Sequence, residues 1–392
     1  MKIKSLLAAI FCAAASISWA QTYDLTPDDG TVRGFVSEKV PDGNYKVTVT
    51  LGAPDRAAST TIRAENRRLM LENVATKPGE TKTLDFVVNK RNVYYGDSLK
   101  VKLKAEEDKY FTWDDELTIE ITGENPAVRS ITVEPDTTAR TIFLCGNSTV
   151  VDQFEEPWAS WGQMIPRWFD TDVAIANYAH SGLCAEVFIA QGRLAKITEL
   201  LRPGDYVVVE FGHNDQKQKG PGKGAWYNFS TCLKIFVDEV RAKGGEVIFC
   251  TPTQRRIWMD DNATIRETHG DYPAAMLAVA ERENVPVIDL HQMTREFFES
   301  LGFEDSKRAL VHYPANTFIG QSKELADNTH FNPFGAYEVA KMVVEGIRKL
   351  DLPLAKSVRT DYASFDPAHP DDPSEFVWTL SSIQSMEKPA GN

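Results

Sequence analysis

From Arg140 onward, short apolar runs alternate with segments of helical periodicity, and this alternation constrains the fold more than any other property of the chain. Thr141 to Leu144 is followed by a helical pattern from Trp158 to Phe169, Val173 to Tyr178 by Glu186 to Leu201, and Tyr206 to Phe211 by Phe229 to Ala242. Two further runs, Glu246 to Cys250 and Val285 to Leu290, flank a helical stretch from Tyr272 to Glu283, and a last helix is predicted over Phe334 to Ile347. Parallel strands need long crossover connections, and strands covered by helices on both faces are apolar almost throughout. The expectation is a three-layer α/β/α domain with a parallel five-stranded sheet over residues 139–355.

Residues 21–138 have a different texture. Alternating segments such as Tyr45 to Leu51, Lys82 to Val88 and Glu116 to Ile121 are separated by turn sequences such as Asp42-Gly43-Asn44 and Lys77-Pro78-Gly79-Glu80, the pattern of a small antiparallel β-sandwich. Such a domain either binds glycan or packs beside its neighbour and stabilises it. Residues 356–392, rich in Pro, Asp and Ser with one apolar patch at Phe376-Val377-Trp378, read as an extended tail that docks locally.

Residues 1–20 match a cleaved secretory signal: Lys2 and Lys4, an apolar run from Leu6 to Ile17, then Ser18-Trp19-Ala20. The run is shorter than the ~20 apolar residues of a membrane span, so a secreted or periplasmic protein is expected. The formal net charge of −13 argues against nucleic acid or an anionic membrane as partner. Beyond the leader stand Cys145, Cys184, Cys232 and Cys250. They have no CxxC spacing, and buried free thiols are expected.

In open parallel sheets ligands bind beyond the carboxyl ends of the strands. Four loops there carry unusual residues: Gly146-Asn147-Ser148-Thr149-Val150, Ala179-His180-Ser181-Gly182-Leu183, Gly212-His213-Asn214-Asp215 and Asp327-Asn328-Thr329-His330-Phe331. A serine hydroxyl becomes an effective nucleophile when an imidazole takes its proton, and the imidazole needs a carboxylate to fix its tautomer and steady its charge. Ser148, His330 and Asp327 supply those parts. The tetrahedral intermediate needs donors aimed at its oxyanion, and the candidates are the Ser148 and Gly182 backbone N–H groups and the Asn214 side-chain amide. Ser148 alone would read as a helix cap, but the other three loops favour catalysis.

These four blocks, in this order, resemble those of the SGNH hydrolases, also called the GDSL family. More narrowly, Gly146 to Val150, Asn177 to Gly182 and Phe211 to Asp215 resemble rhamnogalacturonan acetylesterases. The resemblance covers about Thr141 to Ile347. It implies a flavodoxin-like sheet, Ser148 as nucleophile, Asp327 and His330 completing the triad, Gly182 and Asn214 in the oxyanion hole, and neither metal nor cofactor. The implied substrate is acetylated rhamnogalacturonan, a pectin. Two departures are Asn147, where the family commonly has Asp, and Cys184, where serine is frequent. Xylan or short-chain ester hydrolysis, and glycan binding with an inert hydrolase domain, are the alternative readings.

Four other residues are candidate substrate contacts. Trp158 offers a platform for a sugar ring, although Trp158, Trp161, Ile165 and Trp168 at helical spacing also describe a buried helix face. Arg255 and Arg256 suit a uronic carboxylate or a surface salt bridge. His213 is expected to shape its loop. The histidines at 180, 269, 291, 312 and 369 have no partner legible in the sequence, and Asp327 with His330 lacks an evident third ligand for a metal site.

Overall fold

The computed structural model describes residues 21–24 and 34–388, so the leader lies outside the described residues. Eight strands build the N-terminal sandwich. One sheet holds β1 (Gln21–Asp24), β3 (Gly43–Leu51), β6 (Lys82–Lys90) and β10 (Val128–Asp136) in the order β1-β10-β3-β6. The other holds β2 (Gly34–Lys39), β4 (Ala58–Ala64), β5 (Arg68–Thr76) and β9 (Glu116–Thr122) in the order β2-β9-β4-β5, and pairing is antiparallel throughout. A side-chain period of two directs Tyr45, Val47, Val49 and Leu51 inward, where they meet Ile62, Ile119, Ile121 and Ile131. A two-stranded ribbon, β7 (Tyr94–Tyr95) with β8 (Leu99–Lys100), leads into a short helical segment, Ala105–Lys109.

The second half matches the predicted alternation. Its parallel sheet contains β11 (Arg140–Cys145), β12 (Val173–Asn177), β13 (Tyr206–Val209), β14 (Glu246–Cys250) and β15 (Val287–Ile288), in the order β12-β11-β13-β14-β15. Two large apolar clusters cover its faces. Ile142, Leu144 and Ile175 belong to one and Phe143, Cys145 and Ala176 to the other, so neighbouring residues of one strand enter opposite layers.

The helices are α1 (Trp161–Met164), α2 (Ala185–Ala190), α3 (Arg193–Leu200), α4 (Ser230–Ala242), α5 (Tyr272–Glu283), α6 (Leu290–Asp305) and α7 (Pro333–Lys349). Three departures from the sequence reading have local causes. The single helix expected over Glu186 to Leu201 is two, because Gly192 adopts φ +79, and a Cβ there would lie 2.4 Å from the Tyr95 hydroxyl. The helix expected over Trp158 to Phe169 starts later and tightens to a 3-10 turn at Ile165–Trp168, with Pro166 near its start. Helix α6 and the antiparallel ribbon β16 (Leu310–Tyr313) with β17 (Leu325–Phe331) were not anticipated.

The sandwich is not a free-standing appendage. The tip of the β4–β5 hairpin, Glu65-Asn66-Arg67, is buried, with Glu65 and Arg67 at φ +54 and +59. Arg67 donates to the backbone carbonyls of Gln153 (2.9 Å) and Trp158 (2.6 Å) and pairs with Glu156 (2.6 Å). Arg68 pairs with Asp152 at 2.7 Å and donates to the Ile175 carbonyl, while Leu69 joins the core of the α/β half. The tail, expected to dock locally, instead runs back across the molecule. Trp378 stacks under Arg63 at 4.0 Å and donates to Glu156, and Ser385 N donates to the Glu156 carbonyl.

Candidate active site

Ser148 lies in the loop beyond the carboxyl end of β11, its carbonyl held by Gln153 Nε2 (2.9 Å) and Ser160 Oγ (2.6 Å). His330 arrives from the end of β17, two residues before Asn332, which caps α7 by accepting from Gly335 N, with Pro333 in the first helical position. His330 Nε2 is 2.9 Å from Ser148 Oγ, and His330 Nδ1 is 2.7 Å from Asp327 Oδ2. Asp327 Oδ1 also accepts the backbone N–H groups of Thr329 and His330 at 2.8 and 3.0 Å. Burial works against the Asp327 charge, but the His330 hydrogen bond and charge and these two N–H donors outweigh it and hold the carboxyl well below its usual range. The structure thus joins Ser148, His330 and Asp327 in one continuous chain of hydrogen bonds.

The candidate oxyanion donors lie on the two neighbouring loops. Gly182 sits at φ +78, a conformation that favours glycine. The Asn214 amide donates to the Leu183 carbonyl at 3.1 Å and retains a second N–H, while its oxygen accepts from Lys217 Nζ at 3.1 Å. Asp215 pins the two loops together, accepting Ala185 N on one oxygen and Gly212 N on the other, both at 2.9 Å. Its burial pushes the carboxyl up to about 6.

Asn147 explains itself through its neighbours. Its Oδ1 is 3.0 Å from Thr149 Oγ1, which is also 2.8 Å from Glu210 Oε1. The Thr149 hydroxyl thus faces two acceptors, the Asn147 amide oxygen and the Glu210 carboxyl. Burial pushes Glu210 up to about 7, against hydrogen bonds from Trp161, Thr149 and Thr253 N. An aspartate at 147 would place a second buried acid on the same hydroxyl.

The four residues expected to touch substrate separate. Trp158 is buried, presents its edge to His330 (ring centroids 5.8 Å apart), and lines a cavity beside the triad. His213 is buried behind Asn214, bonded to Thr253 and His269. Arg255 donates to the His213 carbonyl and to Thr268, next to the site. Arg256 is committed elsewhere, to Ser306, Asn328 and the Phe303 carbonyl.

The remaining histidines also have partners. His180 meets Glu106 at 3.1 Å, His291 meets Glu267 at 2.5 Å, His269 meets His213 at 3.1 Å, His312 meets Asn328 at 2.9 Å, and His369 meets Asp366 at 2.8 Å. Glu267, His269 and His291 come close enough to hold a metal ion. However, Pro252 O and Gln254 occupy the His291 nitrogens, and Arg255 and Arg295 crowd the other two residues. We therefore read the trio as a hydrogen-bonded support for His213. Cys145, Cys184, Cys232 and Cys250 are buried and free.

Sequence reasoning missed the wall of the cleft. A cavity of about 210 Å³ beside the triad is lined by Glu106, Lys109 and Tyr110 from the segment after the sandwich ribbon, by Phe154 and Trp158, and by Lys388 from the tail. Tyr110 stacks on Phe154 with ring centroids 5.0 Å apart, and Lys104 Nζ donates to the Ser181 carbonyl at 2.6 Å. No local pattern marks these residues, because each acquires its place through contacts distant in sequence.

Comparison with known proteins agrees with this geometry. Residues 141–336 match the model of the GDSL-like lipase/acylhydrolase family. The chain is 43% identical to rhamnogalacturonan acetylesterase RhgT of Bacillus subtilis (strain 168) over 215 residues, 54% of this chain and 91% of the relative. It is 28% identical over 314 residues to the uncharacterized esterase YxiM of the same organism, 79% of this chain and 73% of the relative. The crystal structure of YxiM superposes with a TM-score of 0.50 at 25% identity, covering 81% of this chain and 80% of that one. The stretch aligned with YxiM is longer than everything from residue 139 onward, so it includes part of the sandwich. With its parallel sheet, three loops beyond the carboxyl ends of β11, β12 and β13, and strand β17 bringing His330 to Ser148, the chain belongs to the GDSL-like lipase/acylhydrolase family, the SGNH hydrolases, and is a carboxylic ester hydrolase.

Proposed function

We propose that this protein removes acetyl groups from pectic polysaccharide, acting on acetylated rhamnogalacturonan. The observation that carries this reading is the Ser148–His330–Asp327 chain, with distances of 2.9 and 2.7 Å, opening beside a cavity walled by charged and aromatic groups. A long acyl chain would need an aliphatic trough at the serine, and the cavity lining does not provide one. A small acyl group on a hydroxyl-rich polymer fits better, as in the relatives named rhamnogalacturonan acetylesterase.

In the proposed mechanism His330 Nε2 takes the Ser148 proton as Oγ attacks the acetyl carbonyl carbon, while Asp327 fixes the tautomer and stabilises the imidazolium. The oxyanion is held by Ser148 N–H, Gly182 N–H and the second N–H of Asn214. His330 then protonates the departing sugar hydroxyl. Water, deprotonated by the same imidazole, attacks the acetyl-serine, and acetate leaves as Ser148 regains its proton. A secreted or periplasmic location suits a polymeric substrate, and an N-terminus near Gln21 on the exported protein, read by mass spectrometry, is the expected sign of it.

The test is acetate release from acetylated pectin, acetylated xylan and an aryl acetate, each compared with Ser148→Ala. Serine-dependent release, fastest on pectin, is expected. Preference for xylan would retain the mechanism and reject the substrate, and release unaffected by Ser148→Ala would reject the mechanism.

A further inference from the structure

The catalytic mouth is cationic on a strongly acidic chain, whose net charge is −13. Lys388, at the described end of the tail, reaches back to place Nζ 3.2 Å from Asp327 Oδ2 with 48% of its side chain exposed. Across the serine, exposed Lys217 places Nζ 3.1 Å from Asn214 Oδ1, and Arg255 lies behind it against the His213 carbonyl. Among the described residues neither Lys217 nor Arg255 is in an ion pair. Burial, followed by the like charges of Arg255 and Lys388, lowers the Lys217 pKa, so the three cations feel one another. Of the acids lining the adjoining cavity, Glu155 pairs with Lys109 at 2.5 Å and Glu106 meets His180 and, at 4.0 Å, Lys104, while Glu387 precedes Lys388 in the tail.

Among the described residues Lys217 and Arg255 have no counter-ion, and Lys388 shares the Asp327 carboxylate with His330, so the rim has positive charge to offer an anionic ligand. A neutral acetylated sugar supplies no such anion. A uronide carries a carboxylate across the ring from its acetylated hydroxyls, so with the ester carbonyl at Ser148 the carboxylate falls one ring's width away, at the rim. We propose that Lys217 and Lys388, backed by Arg255, form a carboxylate-binding rim over the catalytic serine that selects acetylated uronides with free carboxylates over neutral acetylated sugars. The inference rests on the proposed pectic substrate and adds the residues that read its charge. Lys388 makes the tail a part of the specificity site. Lys217, two residues after Asp215, couples charge recognition to the loop that bears Asn214.

The discriminating experiment uses one sugar in two charge states: acetylated rhamnogalacturonan oligosaccharides with free carboxylates, and the same oligosaccharides methyl-esterified. For the full-length protein kcat/KM should favour the free acid by about tenfold, the scale of one charge-assisted hydrogen bond, mostly through KM and shrinking as salt rises. Lys217→Gln and Lys388→Gln should each bring that ratio towards one, while Lys217→Arg and Lys388→Arg retain it. Because these lysines touch Asn214 and Asp327, their loss changes the rate on every ester, and the ratio cancels that common change. Equal rates of the unmodified protein on the two forms, or an unchanged ratio in both Gln variants, would overturn the rim alone. Release from acetylated xylan with none from either form of the rhamnogalacturonan oligosaccharides would instead overturn the pectic substrate itself.

Discussion

The two halves of this molecule organise their buried polar groups in opposite ways. In the α/β half the polar side chains near Ser148 point to the end of the sheet and form a short directed chain, Ser148 to His330 to Asp327. In the sandwich two buried charges point out of their own domain. Arg67 and Arg68 leave the β4–β5 hairpin to bind carbonyls and carboxylates of the segment that follows Ser148. In the proposed mechanism the first arrangement performs the chemistry and the second holds it in place. We propose that the sandwich serves as scaffolding for the loop that follows Ser148.

That contrast predicts that changes in one half cost rate and changes in the other cost stability. The largest expected effect is from Ser148→Ala: loss of kcat by about four orders of magnitude or more with the melting temperature unchanged, measured by acetate release and calorimetry. Arg67→Met should do the reverse. It removes the nearest cation from the buried Glu156 carboxylate and leaves the Trp158 carbonyl without its donor, so unfolding in urea should show a loss of about 3 to 5 kcal/mol, with activity per folded molecule nearly retained. If Arg67→Met loses rate but not stability, the scaffolding reading fails.

Asn214→Ala should cost about a hundred- to a thousand-fold in kcat, with little change in KM for an aryl acetate. A smaller loss would give the oxyanion to the backbone donors alone. The smallest effect concerns Glu210. Its carboxyl is raised by burial to about 7, so the folded state binds the proton more tightly than the unfolded chain. Its contribution is therefore most favourable at low pH and declines as pH rises towards 7. Glu210→Gln should gain on the natural protein by about 1 to 3 kcal/mol between pH 5 and pH 8 in urea titrations. Parallel stability curves would show that Glu210 stays charged.

Much of the α/β half was legible because its signals are local. The strand runs from Thr141, Val173, Tyr206 and Glu246 fall within a residue or two of the observed strands, and helix α5 spans the predicted Tyr272–Glu283. The break at Gly192 was harder to read, since an interior glycine is tolerated in helices, and only the approach of Tyr95 fixes its conformation. Arg255 and Arg256 are adjacent, yet one lies at the site and the other is tied to Ser306 and Phe303, a distinction that depends on loop packing alone.

The sequence alone determined the parallel sheet, the sandwich pattern and the loops bearing Ser148, Gly182 and Asn214, because hydrophobic period and strand-end position are written in neighbouring residues, whereas the segment of Asp327 and His330, expected as a loop, is strand β17. Only the tertiary structure decided that Arg67 braces the loop after Ser148, that Glu107 binds Arg193 at 2.5 Å beside the second catalytic loop, and that Lys388 returns to Asp327. Those contacts join residues 61 to 91 positions apart, and a pairing over such distances leaves no periodic trace in the chain. It exists because buried charges must find partners wherever folding brings them, and the partner is chosen in space.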